Sequence, residues 1–118
     1  MTPAPHEPGR SRADERRDHG VRDGYLREVA GLADKAAAML ALGLSEEAVA
    51  RAVHAERRAL AEKYKGLTSP ARRRQLYRWN LERYGDPHGP TVESLRAGGK
   101  SWADIIVSSA RAGAPPEA

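Results

Sequence analysis

Hydrophobic positions along the chain recur at spacings of three and four residues, and polar or glycine breaks divide that pattern into short helices. Leu26, Val29, Ala33, Ala36 and Leu40 form one stripe, which predicts a helix over residues 24–42 that stops at Gly43. Ser45 stands where an N-cap is needed, with Glu46 and Glu47 set favourably against the positive helix end. The helix it opens carries Val49, Val53, Leu60 and Tyr64 and ends at Gly66. Ser69-Pro70 reads as a cap followed by proline at the first helical position. The third helix then carries Leu76, Leu81 and one inward face of Tyr77, Trp79 and Tyr84, and stops at Gly85.

Residues 85–90, Gly-Asp-Pro-His-Gly-Pro, fit neither helix nor central strand. Thr91 restarts a short helix through Val92 and Leu95 to Gly98-Gly99. Ser101 and Asp104 have capping-box spacing and open a last helix through Ile105, Ile106 and Val107. No hairpin signal and no repeat breaks the series. The expected fold is all-α, a single small bundle of about five short helices. It occupies residues 24–112, with a disordered charged arm at 1–23 and a frayed Gly/Pro tail at 113–118. The arm mixes Pro, Gly, Arg, Asp and Glu with almost no large apolar residue, too little burial to offset the entropy of ordering.

Composition narrows the function classes. The chain has 118 residues, no Cys and no Phe, so thiolate chemistry is excluded and four Tyr and two Trp supply all the aromatic mass. No apolar run approaches the ~18 residues of a membrane span, and no secretory leader is evident, so a cytoplasmic protein without membrane contact is expected. Twenty basic residues face sixteen acidic ones, a net charge of +4. The excess lies late in the chain, where residues 66–118 carry eight basic and five acidic side chains.

Much of that excess is one helix. Arg72, Arg73, Arg74, Arg78 and Arg83 lie within twelve residues, opposed only by Glu82. Guanidinium forks match phosphate oxygens, and the interleaved Tyr77, Trp79 and Tyr84 are of the kind that stack on unpaired bases. The same aromatics could equally serve as core. Lys100, in the turn before the last helix, is a further candidate phosphate contact.

The rigid loop that follows gathers Asn80, Arg83, Asp86, His88, Thr91 and Ser94. An imidazole can act as a general acid or base, which makes His88 a candidate, and His54 is a second if the fold brings it near. Metal-free RNA cleavage needs a base for the 2′-hydroxyl, an acid for the leaving oxygen and cations for the phosphorane. Tyr77, Asp86 and His88 are the candidate catalytic residues, and Asn80, Tyr84 and Thr91 complete the candidate loop site. No HExxH, GxGxxG or phosphate-loop motif is present, and Ser108 and Ser109 have no evident partner base. No metal site and no cofactor is expected.

Residues 39–53 also have the outline of a helix-turn-helix, whose second helix would present Glu46, Glu47 and Arg51 to DNA. The two leading carboxylates would face phosphates at a cost, and the spacing is also that of an ordinary helical hairpin. A third reading is a protein–protein adaptor whose partner face holds Trp79, Trp102 and Ile106.

One resemblance runs through residues 25–112. Glu62-Lys63-Tyr64-Lys65-Gly66-Leu67-Thr68-Ser69-Pro70 is followed by Leu76-Tyr77, Asn80, Arg83-Tyr84-Gly85-Asp86-Pro87 and Gly89-Pro90-Thr91. Leu95-Arg96, Gly99-Lys100-Ser101-Trp102, Ile105-Ile106, Ser108 and Arg111 continue it. This resembles the C-terminal modules of bacterial polymorphic toxins of the Rhs, filamentous-haemagglutinin and contact-dependent inhibition types, most specifically over residues 84–91. The resemblance implies a compact module that acts inside a competing cell, often on nucleic acid, and is neutralised by a cognate immunity protein. Tyr77, Asn80, Tyr84, Asp86, Thr91 and Lys100 match its pattern, whereas His88 stands where the pattern has an apolar residue. With no delivery or repeat region, a free-standing module is expected, and whether it turns over a substrate is left open.

Overall fold

The computed structural model describes residues 10–111, and every regular element within them is helical. In chain order these are α1 (Arg12–Ala30), α2 (Leu32–Ala41), α3 (Glu46–Lys65), α4 (Pro70–Tyr84), α5 (Val92–Ala97) and α6 (Trp102–Ser109). The all-α expectation stands. The count of six exceeds the expected five because the first predicted helix divides at Gly31. There the Gly31 N–H turns back to the Glu28 carbonyl three residues earlier, which tightens the turn between buried Val29 and buried Leu32.

The expected disordered arm needs correction. Residues 12–23 form the first part of α1, while residues 1–9, and the tail at 113–118, lie outside the described residues. A local signal opens α1: Ser11 Oγ accepts the Asp14 N–H at 3.1 Å, and Asp14 Oδ2 accepts the Ser11 N–H at 3.3 Å. The rest of the support is tertiary. Gly24 lets α1 approach α3 so closely that a Cβ there would stand 3.1 Å from the Tyr64 ring. Tyr25 meets Tyr64 edge to face at 6.0 Å, and Glu28 accepts from Tyr64 Oη and Lys63.

The hub of the bundle is α3, which packs against α1, α2 and α6. Its Ser45 cap accepts the Ala48 N–H at 3.1 Å, as the sequence predicts. Val49 and Val53 join Ala36 beneath Met39 and Ile106, and Ala50 joins Val92 and Ile105 beneath Leu95 and Trp102. The Ser101 capping box forms as predicted and starts α6, and Thr91 restarts a helix as expected, through a capping box with Ser94 that the sequence reading did not name.

Helix α4 has a different footing, for none of its residues is buried. Pro70 opens it and Gly85, at φ 74°, closes it in the left-handed conformation. Ser69 does not cap α4 with its own hydroxyl. Buried Asp18 of α1 reaches across instead, taking the Ser69 N–H at 2.7 Å and the Ser69 O–H at 2.6 Å. Arg73 adds a second tie, donating to the carbonyls of Lys65, Gly66 and Thr68 where α3 ends. With no fully buried residue of its own, the helix leaves Trp79 and Tyr84 exposed.

Candidate nucleic-acid interface

Arg74, Arg78 and Arg83 are exposed on α4, together with Trp79, Leu81 and Tyr84. Trp79 is 43% exposed, Leu81 52% and Tyr84 41%, so the expectation that they turn one face into the core is corrected. The apolar positions of α4 do not fall on one stripe, because the inward face is taken by half-buried Arg72, Arg73, Leu76, Tyr77 and Asn80.

The five arginines therefore divide by role. Arg73 is committed to the end of α3. Arg72 lies 5.0 Å from the centre of the Trp79 ring and bonds Gln75, which stiffens the indole without covering it. Arg74, Arg78 and Arg83 are the exposed ones.

Behind α4 a cleft of about 1010 Å³ opens between α1, α3 and the loop at residues 86–90. Arg58, Lys65, Asn80, Tyr84, His88 and Lys100 are among the residues that line it. Lys100 belongs to the turn before α6, and Thr91 serves as the cap of α5, its hydroxyl accepting the Ser94 N–H. Asn80 donates to the Pro87 carbonyl at 3.2 Å and so fixes the loop to α4.

On this side the structure brings together all three candidate catalytic residues, through a fourth that sequence reasoning missed. Glu62 of α3 accepts from Tyr77 Oη at 3.0 Å, from His88 Nδ1 at 2.8 Å and from Lys65 Nζ at 3.2 Å. Burial raises the Glu62 pKa, but the hydrogen bonds from His88, Tyr77 and Lys65 outweigh it and hold the carboxyl below its ordinary range. Burial and the bond to Glu62 both push the Tyr77 phenol up, so it stays a donor. The Tyr77 and His88 rings meet edge to face at 5.5 Å. Asp86 Oδ1 accepts the His88 backbone N–H at 2.8 Å, and its Oδ2 stands 3.5 Å from Arg58. Glu62 and His88 lie 26 positions apart on different elements, a separation that no motif reading bridges.

His54 is placed elsewhere. Its Nε2 donates to the Pro90 carbonyl at 2.9 Å, which leaves Nδ1 to accept from Ser109 Oγ at 3.2 Å. Ser109 thus has the base that its sequence neighbourhood did not show. Both groups are buried, and together they brace α3 against α6.

The outline of a DNA-reading hairpin at residues 39–53 meets an obstacle in α3. Glu46, Glu47 and Arg51 stay exposed on it, but Arg51 is held by Glu47 at 3.0 Å and Glu93 at 3.3 Å. The Arg51 guanidinium also lies over the Trp102 ring, which Arg96 flanks at 4.3 Å. Trp102 is therefore only partly open to a partner, and Ile106 packs against both core clusters. Among the described residues no three His, Asp or Glu are grouped to hold a metal ion, and no helix is long and apolar enough to cross a membrane. In comparisons with known proteins, no family model, no curated protein and no solved structure matches this chain.

Proposed function

We propose that this protein is a small toxin-like module that binds nucleic acid, RNA in preference, through the outer face of α4 and the loop that follows. The observation that carries this reading is the exposure of Trp79 and Tyr84 among Arg74, Arg78 and Arg83. A chain with six aromatic residues has few to spare from its core, yet two of them stand more than 40% exposed on an arginine-rich helix. Guanidinium groups neutralise phosphates and exposed rings stack on bases that are not paired, which are more abundant in folded RNA than in duplex DNA. The site of action under this reading is the cytoplasm, and a cognate immunity-type protein is the expected protein partner.

Retention on immobilised tRNA at moderate salt tests it. The wild type is held, and Arg74→Ala combined with Arg78→Ala abolishes retention. Retention that is unchanged in the double variant and indifferent to salt would sink the reading.

A protein–protein adaptor is the second reading, and one observation favours it. Leu40, Leu42, Leu44 and Val107 are exposed, with Leu42 at 80%, beside a shallow apolar groove between α2 and α6. An adaptor would purify free of nucleic acid, with a low ratio of absorbance at 260 to 280 nm.

A further inference from the structure

We propose that His88 is the general base of a metal-independent RNA cleavage in which the substrate's own 2′-hydroxyl is the nucleophile, with Glu62 as the positioning residue. The inference rests on the RNA-binding reading above and adds a reaction to it.

Three contacts hold His88, whose side chain remains 49% exposed beside the cleft. Glu62 Oε2 takes the proton on Nδ1 at 2.8 Å, and this fixes the tautomer that leaves a lone pair on Nε2. Tyr77 sets the ring plane from the side, at an interplanar angle of 85°. Asp86 holds the His88 backbone N–H at 2.8 Å. Arg58, 3.5 Å from Asp86, lines the same cleft as His88 and offers a cation for phosphate oxygens. Glu62 is itself saturated by Tyr77 and Lys65, so the carboxylate cannot swing away from its imidazole without breaking two further bonds. A surface histidine serving only solubility needs none of this. An acceptor nitrogen on a half-exposed ring backed by a carboxylate is the arrangement that takes a proton from a bound hydroxyl.

The step balances without any further reactant. Nε2 of His88 takes the 2′-hydroxyl proton, and the 2′-oxygen forms a bond to the adjacent phosphorus. The bond from phosphorus to the 5′-oxygen breaks, and that oxygen takes a proton from water. The hydroxide left behind accepts the proton from His88. The products are a 2′,3′-cyclic phosphate and a 5′-hydroxyl, with no change of oxidation state. Arg58 stabilises the charge that builds on the phosphorane oxygens.

The test uses an end-labelled single-stranded RNA oligonucleotide, with EDTA present, and the same wild-type protein is assayed for tRNA retention. Fragments ending in 2′,3′-cyclic phosphate are expected, and a 2′-deoxy substitution at the cleaved position abolishes them. His88→Ala lowers the rate by about 10² to 10⁴-fold, and added imidazole restores part of the loss, which a structural role would not allow. Glu62→Gln lowers the rate in the wild-type background and has no further effect in the His88→Ala background, because it acts only through that ring. Wild-type protein that retains tRNA but leaves every RNA intact overturns the cleavage proposal and spares the binding reading. Protein that neither retains nor cleaves RNA overturns both. Cleavage that survives His88→Ala undiminished overturns the role of His88.

Discussion

Both ring nitrogens of His54 are engaged, one by a carbonyl 36 positions onward and the other by a hydroxyl 55 positions onward. The protonated ring would bring a second donor to Ser109 in a buried site. Burial lowers the His54 pKa first of all, the Pro90 carbonyl opposes this, and the charges of Arg58 and Arg57 lower it further, with Glu93 opposing them. The folded state therefore binds fewer protons than the unfolded chain once pH falls below the ordinary value of 6.5. Stability from this group is fully present above that pH and is lost as pH descends toward the depressed folded value. The thermal midpoint of the wild type should fall between pH 7.5 and pH 5.5, above the range where the carboxylates titrate. His54→Gln should flatten that slope while lowering the midpoint at neutral pH. An equally steep slope in the variant would remove His54 from the account. The residue itself was visible in the sequence as a candidate base, but its partners were not, since spacing along one helix says nothing about what a neighbouring helix end supplies.

At the scale of elements, local chemistry was read well and tertiary support was not. Ser45, Thr91, Ser101 and Gly85 each end or begin a helix as their side chains and backbone freedom dictate. The failure lies at residues 12–23, which lack an apolar stripe and still form a helix, because Asp18, Gly24 and Tyr25 find partners on α3 and α4. A buried carboxylate that ties two helices leaves no periodic trace. The same bond explains how α4 keeps its place without burying a residue. Asp18→Ala strips the buried Ser69 N–H and hydroxyl of their acceptor and should cost about 2 kcal/mol. Urea unfolding reads that loss, with the midpoint shifted to lower denaturant. Stability unchanged within error would mean that α4 is anchored by Arg73 and Tyr77 alone.

Across the whole molecule, α3 divides the labour. One side supplies the apolar core against α2 and α6, and its C-terminal half supplies Arg58 and Lys65 to the cleft under α4 and Glu62 to Tyr77 and His88. The arginine cluster and the loop cluster were both legible as sequence neighbours, and the structure separates what the sequence could not. Arg72 and Arg73 turn to structural duty, whereas Arg74, Arg78 and Arg83 are exposed. Tyr77 and His88 converge on Glu62 from another helix, and Asp86 joins them by accepting the His88 backbone N–H.

The central claim, that α4 carries an electrostatic surface for RNA, is tested most directly by the salt dependence of affinity for a single-stranded RNA. Each phosphate neutralised contributes about −0.7 to the slope of log affinity against log salt. Arg74→Ala with Arg78→Ala should weaken binding and make that slope shallower by about 1.4, with little dependence on RNA sequence. A slope that stays the same in the double variant, or an affinity that never responds to salt, would contradict the account.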